Sequence, residues 1–202
     1  MEKHTANIAI FASGSGSNAE NIINFSNTSG TYCVKAVFCN NKTAYVLERA
    51  KRLGVPSYIF SAQEFKNGTI TIDGIECGFA GLLDTLDIDY IILAGFLLKV
   101  PDSLVSLYPG RILNIHPALL PAYGGKGMYG EYVHKAVIAA GENRSGITIH
   151  IVDNHYDHGE TIYQDSCEIT PEDTPESLAA KIHELEKAYP KVIDDYIRAR
   201  EK

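Results

Sequence analysis

Three short stretches of this chain carry residue types that bind or react. The first, Ser13-Gly14-Ser15-Gly16-Ser17-Asn18, lies between an apolar segment and a helix-like one. A glycine turn in that place leaves main-chain N–H groups free at the positive end of a helix, where an anion such as a phosphate is favoured. Gly14, Gly16 and Ala19 also fit the G-x-G-x-x-G/A spacing of dinucleotide sites. Such sites need an acidic residue further on, at the end of the second strand, to hold the ribose. Here that position reads Cys39-Asn40-Asn41-Lys42, which disfavours NAD and leaves Lys42 as the one hint of NADP. A glycine turn with no ligand is the plain alternative.

The second stretch is Asn114-Ile115-His116-Pro117-Ala118-Leu119-Leu120-Pro121, which begins at the end of a strand-like segment. Open α/β sheets bind ligands at that edge. Residues two apart on an extended backbone face the same way, so an amide donor and a titratable imidazole point into one cleft. Pro117 and Pro121 fix φ at both ends of the apolar turn. An Asn-x-His pair with a purely structural role is the alternative.

The third stretch, Asp153-Asn154-His155-Tyr156-Asp157-His158-Gly159, is a polar loop between two late strands. Imidazole and carboxylate suit zinc or iron, so His150, His155 and His158 with an Asp form one reading, although their spacing matches no standard ligand set. A solvated turn closed by Gly159 is the other.

The elements that must position these residues alternate between β-branched, aromatic segments and helical ones, the pattern of a parallel sheet covered by helices. The fold class is α/β. Strands are expected at Asn7 to Ala12, Tyr32 to Cys39, Ser57 to Phe60, Asp89 to Ala94, Arg111 to Ile115, Ile147 to Val152 and Thr161 to Glu168. The run from Tyr90 to Ala94 is apolar throughout, as the buried centre of a sheet requires. Helices are expected at Ser17 to Asn27, Thr43 to Leu53, from Pro101, and at Tyr132 to Ala140. A long amphipathic helix runs from Thr174 with Leu178, Ile182 and Leu185 on one face, interrupted at Pro190. Asn67 to Gly81 reads as a loop or an added hairpin.

Composition narrows the classes. The 202 residues make one domain, and 45% apolar with 21% charged residues is a globular balance. Eighteen Lys and Arg against 25 Asp and Glu give a net charge of −7, which argues against a nucleic acid as main partner. The longest apolar run, Tyr90 to Leu98, is about half of what a membrane-spanning helix needs. Met1-Glu2-Lys3-His4 leads directly into the first strand without a signal peptide, so a cytoplasmic location is expected. Cys33, Cys39, Cys77 and Cys167 form no Cys-x-x-Cys pair and read as reduced, buried thiols. Cys33 and Cys39 would lie roughly 20 Å apart on one strand.

In this order and spacing the pieces resemble the glycinamide ribonucleotide formyltransferases of purine biosynthesis, which use 10-formyltetrahydrofolate. The likeness covers nearly the whole chain. It rests on the Gly-Ser-Gly-Ser-Asn loop, Leu93-Ala94-Gly95-Phe96-Leu97-Leu98, Asn114 to Pro121, Gly146-Ile147-Thr148-Ile149-His150 and Asp157-His158-Gly159. The resemblance implies a Rossmann-like open, mostly parallel sheet with helices on both faces and a long C-terminal helix. It implies a single formyltransferase domain over 1–202, with a nucleotide-phosphate half to about residue 95 and a folate and catalytic half after it. Asn114, His116 and Asp157 would be catalytic, with Asp157 beside His116 to raise the imidazole pKa and keep it charged. Gly16, Ser17 and Asn18 would hold the substrate phosphate and Glu186 its ribose. Leu97, Leu98, Lys99, Val100 and Asn114 would hold the folate, with Lys66 a candidate for its glutamate tail.

The resemblance further implies small-molecule substrates, 10-formyltetrahydrofolate as cosubstrate, no bound cofactor or metal, and neither nucleic acid nor membrane as partner. Gly124 to Tyr132 and Asn67 to Gly81 look longer than in the best-known members, at positions that could reshape the folate entrance. Two other readings stand beside this one. One is a formyltransferase of the same core acting on another amine, such as an amino sugar nucleotide. The other is a non-catalytic NADP- or nucleotide-binding module.

Overall fold

Two βα units open the chain: β1 (Ala6–Ala12), α1 (Ser17–Ser29), β2 (Tyr32–Cys39) and α2 (Val46–Arg52), with β3 (Ser57–Ile59) after them. The computed structural model describes residues 5–201; the Met1–His4 segment, in which no leader is read, and Lys202 lie outside them. Helix α2 starts later than its pattern predicts. The Asn41 side chain accepts from both the N–H (3.0 Å) and the hydroxyl (2.8 Å) of Thr43, which holds Thr43 in a turn ahead of the helix.

Then come α3 (Ala62–Asn67), β4 (Thr69–Ile72), β5 (Ile75–Gly78), α4 (Phe79–Thr85) and β6 (Tyr90–Leu93). The ambiguous stretch is thus an antiparallel hairpin, turned by Asp73 and Gly74 with φ of 51° and 81°. Positive φ at both central positions is what a tight two-residue hairpin turn requires. The hairpin forms its own two-stranded sheet and sends Ile70 into the core.

The second half holds α5 (Asp102–Leu107), β7 (Ile112–His116), α6 (Glu131–Ala139), β8 (Arg144–Ile151), β9 (Thr161–Glu168), α7 (Pro175–Glu186) and α8 (Tyr189–Arg200). The C-terminal helical stretch is interrupted around Lys187 and Ala188, just before Pro190, which sits in the first turn of α8 where its missing N–H costs nothing. Thr174 caps α7 by accepting from the Ser177 N–H.

The main sheet has seven strands in the order β3-β2-β1-β6-β7-β8-β9, with β6 at its centre. The pairs from β3 to β7 are parallel, and β8 and β9 are antiparallel additions. Strand order reverses between β1 and β6, so the loops leaving their carboxyl ends part there and open a crevice. Helices cover both faces. One core packs Ala19, Val46, Val133, Leu178 and Ile193 on the sheet; the other packs Phe65, Phe79, Leu83 and Leu104 on the opposite face. In that second core Phe11 lies at the centre of an aromatic cluster, with Phe38 at 5.0 Å, Phe96 edge-on at 5.5 Å and Phe79 at 5.7 Å. The Tyr189 hydroxyl of α8, fully buried, donates between the carbonyls of Leu93 (3.2 Å) and Leu113 (3.1 Å) and joins the last helix to the two central strands.

The cysteines are free, as expected, but only Cys39 is buried; Cys33, Cys77 and Cys167 are partly exposed. No helix of the described residues is long and apolar enough to cross a membrane.

Candidate active site

At the reversal point the loop after β1 turns into α1 at Gly16, whose φ is 78° and where a Cβ would lie 2.5 Å from the Val46 side chain. Only glycine fits there. The helix begins with the Glu20 N–H bonded to the Gly16 carbonyl, which leaves the first-turn N–H groups of Ser17, Asn18 and Ala19 without helical partners. Asn18 is 8% exposed and its Oδ1 has no hydrogen-bond partner. Arg49 supports the loop from behind, donating to the Ser15 carbonyl at 3.0 Å while its guanidinium is ion-paired to Glu20. Ser13 connects this loop to the one after β6: its N–H bonds the Gly95 carbonyl at 3.0 Å and its hydroxyl accepts from the Leu97 N–H at 3.0 Å.

Along β7 the side chains alternate between faces. Leu113 and Ile115 enter the first core, whereas Ile112 enters the second, so Asn114 and His116 share the Ile112 face and reach the cleft at the strand end. The antiparallel register sets His150 opposite Asn114 and Thr148 opposite His116. Asn114 Nδ2 lies 3.1 Å from His150 Nε2, and His150 Nδ1 lies 2.9 Å from the Ile151 carbonyl. With Nδ1 donating to that carbonyl, the Nε2 edge lies between the Asn114 amide and the Asp157 carboxylate, and one Nδ2 hydrogen remains for a ligand. Thr148 donates to the Ala118 carbonyl and accepts from the Leu120 N–H, fixing the Pro-bracketed turn.

Asp157, on the loop after β8, brings its carboxylate to 3.6 Å from both His116 Nδ1 and His150 Nε2 and accepts from the Gly125 N–H at 2.9 Å. Burial works against its charge, but the contacts to His150, His116 and Gly125 outweigh burial and hold the carboxyl below its usual value. His116 is 3% exposed, and its Nε2 lies 2.8 Å from the Tyr123 carbonyl, to which it donates. Burial lowers the pKa of His116, and this outweighs the upward pull of Asp157 and of the Tyr123 carbonyl. Asp157 thus pulls the imidazole pKa upward as expected, and burial lowers it by more, so the ring stands below the ordinary histidine value.

These groups face a cleft of about 630 Å³. Gly16, Ser17, Asn18 and Glu186 line one part of it, and Leu97, Leu98, Lys99, Val100, Asn114, His116 and Asp157 also line it. The catalytic, phosphate, ribose and pterin residues implied by the resemblance thus line one cleft, although Asp157 lies far from His116 in sequence. Lys66 does not line it. Lys42 does not line it either. The proposed metal set is also rearranged: His150 is buried against Asn114 and Asp157, while Asp153 joins His155 and His158 on the surface.

Three contributors have roles that sequence reasoning did not assign. His134 of α6 is 7% exposed, lines the cleft, and has an Nδ1 without a partner; burial lowers its pKa. The Gly125 to Gly130 segment forms one wall with Lys126 and Met128, and Tyr129 there packs edge-on to Tyr132 at 5.2 Å. Lys126 has no ion-pair partner among the described residues, whereas Lys99 is paired with Asp102. The third is Ser13, whose hydroxyl links the two loops.

The sequence pattern of a known family, described as formyl transferase, matches residues 6–193. A protein named phosphoribosylglycinamide formyltransferase, chloroplastic, from Arabidopsis thaliana is 39% identical over 95% of this chain, which spans 65% of that relative's length. The phosphoribosylglycinamide formyltransferase of Bacillus subtilis is 36% identical over 92% of this chain and 91% of its own length. A crystal structure of the Streptococcus pneumoniae phosphoribosylglycinamide formyltransferase superposes with a TM-score of 0.78 at 38% identity, covering 95% of this chain and 98% of that one. With the match running from the first strand into the last helix, over the phosphate-type loop and the Asn-His-Asp cluster alike, the chain belongs to the formyl transferase family.

Proposed function

We propose that this protein transfers the formyl group of 10-formyltetrahydrofolate to the amine of glycinamide ribonucleotide, giving formylglycinamide ribonucleotide and tetrahydrofolate in purine biosynthesis. The observation that carries the reading is the convergence of Asn114, His116 and Asp157, from separate segments, in the cleft that also holds the glycine loop. The names of the relatives agree with it.

In this reading the substrate phosphate rests on the N–H groups of the first turn of α1, at Gly16, Ser17 and Asn18, and Glu186 meets its ribose. The pterin lies against Leu97 to Val100 and the loop from Asp153 to Asp157. That anchoring positions the amine against the formyl carbon, so that binding energy gained far from the reacting atoms lowers the barrier. As the amine nitrogen bonds to the formyl carbon, the carbonyl oxygen gains negative charge and accepts from the free Nδ2 hydrogen of Asn114. One such donor contributes about 3 kcal/mol.

Burial favours the neutral form of His116, which enters with Nε2–H held on Tyr123. Its Nδ1 takes the proton that the attacking nitrogen must lose. The imidazolium so formed faces the oxyanion and is stabilised by Asp157, then returns the proton to N10 of the folate as the C–N10 bond breaks. No metal and no covalent enzyme intermediate takes part. The protein acts as one domain in the cytoplasm, its first half binding nucleotide and its second binding folate. The test is a spectrophotometric assay with 10-formyldideazafolate and glycinamide ribonucleotide. Deformylated folate forming only when both substrates are present supports the reading; no product, or equal turnover with an amino sugar nucleotide, defeats it.

A further inference from the structure

The loop that carries Asp157 holds a second cluster of side chains to which the proton and formyl transfers above give no role. Asp153, His155 and His158 each offer one ligand atom, and the three atoms lie within 4.8 Å of one another. Asp153 uses Oδ1 to accept the His155 N–H at 2.8 Å, which turns Oδ2 toward His158, 3.7 Å from its Nδ1. The two imidazole rings lie 5.6 Å apart. A solvated turn needs none of these side chains to converge. Two imidazoles and a carboxylate are the donor set of late first-row divalent ions. An ion held ~2.1 Å from each ligand atom wants those atoms roughly 3–3.5 Å apart. His158, 78% exposed, can close that difference by a side-chain rotation.

We propose that Asp153, His155 and His158 bind a divalent late-transition-metal ion, with Zn²⁺ as the representative, and that the bound ion weakens folate binding. Asp153, His155 and Tyr156 line the cleft, and Asp157 lies between the two histidine ligands in sequence. An ion joining positions 153, 155 and 158 draws their side chains together, away from the pterin, and sets a dication beside the Asp157 carboxylate. The ion is an inhibitor and not a participant in the chemistry. Binding of the ion stands by itself, whereas its effect on folate rests on the pterin placement proposed above.

The experiment titrates metal-free protein with Zn²⁺ by calorimetry while NMR follows the histidine rings. One ion per chain, with the His155 and His158 signals moving, is the expected result. His158→Ala, exposed and outside the cleft lining, should weaken that binding by at least about tenfold. Zinc bound equally well by His158→Ala, as coordination by the free thiols would give, overturns the site. A dideazafolate analogue should then bind severalfold more weakly to the zinc-loaded protein and unchanged to His158→Ala in zinc. Analogue affinity untouched by zinc at the triad overturns the inhibition. Zinc at the triad in a protein that formylates no glycinamide ribonucleotide supports the metal site and defeats the reaction assigned above.

Discussion

The two ends of the cleft are built in opposite ways. The glycine-loop end is built on a single stretch of chain, Ser13 to Asn18, whose donors are mainly main-chain groups fixed by one left-handed glycine and braced by Arg49. The Asn-His-Asp end is assembled from β7, β8 and the loops around Gly125 and Asp157, and its polar groups are side chains whose positions depend on one another. Contiguity makes the first end tolerant: each N–H there is held by helix geometry whatever the side chain. Interdependence makes the second end fragile, because a change at Asp157 disturbs His116, His150 and Gly125 together. Binding should therefore be lost by degrees at one end and catalysis steeply at the other.

The strongest way to break that contrast is Asp157→Asn. The shape is kept, so KM for both substrates should stay near normal while kcat drops by about a hundredfold or more, the pattern of an interaction made only in the transition state. The sign of the accompanying titration follows from the geometry. Burial already lowers the His116 pKa, and Asp157 opposes it, so removing the negative charge should move the ring's NMR titration to still lower pH. An asparagine variant with full kcat, or with His116 titrating as before, would assign Asp157 to the turn alone.

Asn18→Ala comes next. It should raise KM for glycinamide ribonucleotide by about tenfold, the scale of one charge-assisted hydrogen bond, and leave KM for the folate unchanged. Equal weakening of both substrates would erase the division between the two ends. Smaller again is Leu98→Ala: if the pterin is held by main-chain groups, folate affinity should change by less than about threefold, since only side-chain contact is lost. A larger loss than Asn18→Ala causes for the nucleotide would show that side chains do the holding. Exhaustive chelation with EDTA should have the least effect, with kcat preserved. Activity lost on chelation and restored by zinc would require a metal in the reaction.

The same contrast explains what could be read from the sequence. The glycine loop is local, and its ligand-binding character is visible in six consecutive residues. Asn114 and His116 share a face through the two-residue repeat of a strand, so their pairing was legible too. The strand bounds of β2 and β9 fall as the β-branched and aromatic runs predict. Asp157 is different. Nothing in its spacing says that it returns to His116, and only the family likeness placed it. Lys126 and Tyr129 were not legible, because a segment rich in glycine has no periodicity to say which side chains turn inward, and His134 sits on a helix whose inward face was not tied to the cleft. The size of the burial effect on His116 was hidden for a related reason: sequence shows which groups can meet, while burial is decided by everything packed around them.

One contact deep in the sheet bears on how the molecule comes into being. The Tyr189 hydroxyl bridges the backbone of β6 and β7 one residue before Asn114, yet it arrives on the last helix. During synthesis the N-terminal strands emerge first. The ribosome therefore displays the glycine loop, Asn114, His116 and Asp157 before it has made the residue that joins their supporting strands from below. Parallel strands that pair across long sequence distances close slowly. A nascent chain holding every reactive group but lacking α8 is an open sheet with the Ile8, Ile10 and Ile92 face short of its cover. The sheet is closed only once α8 has emerged, after every reactive group, and until then its apolar face invites association with neighbouring chains.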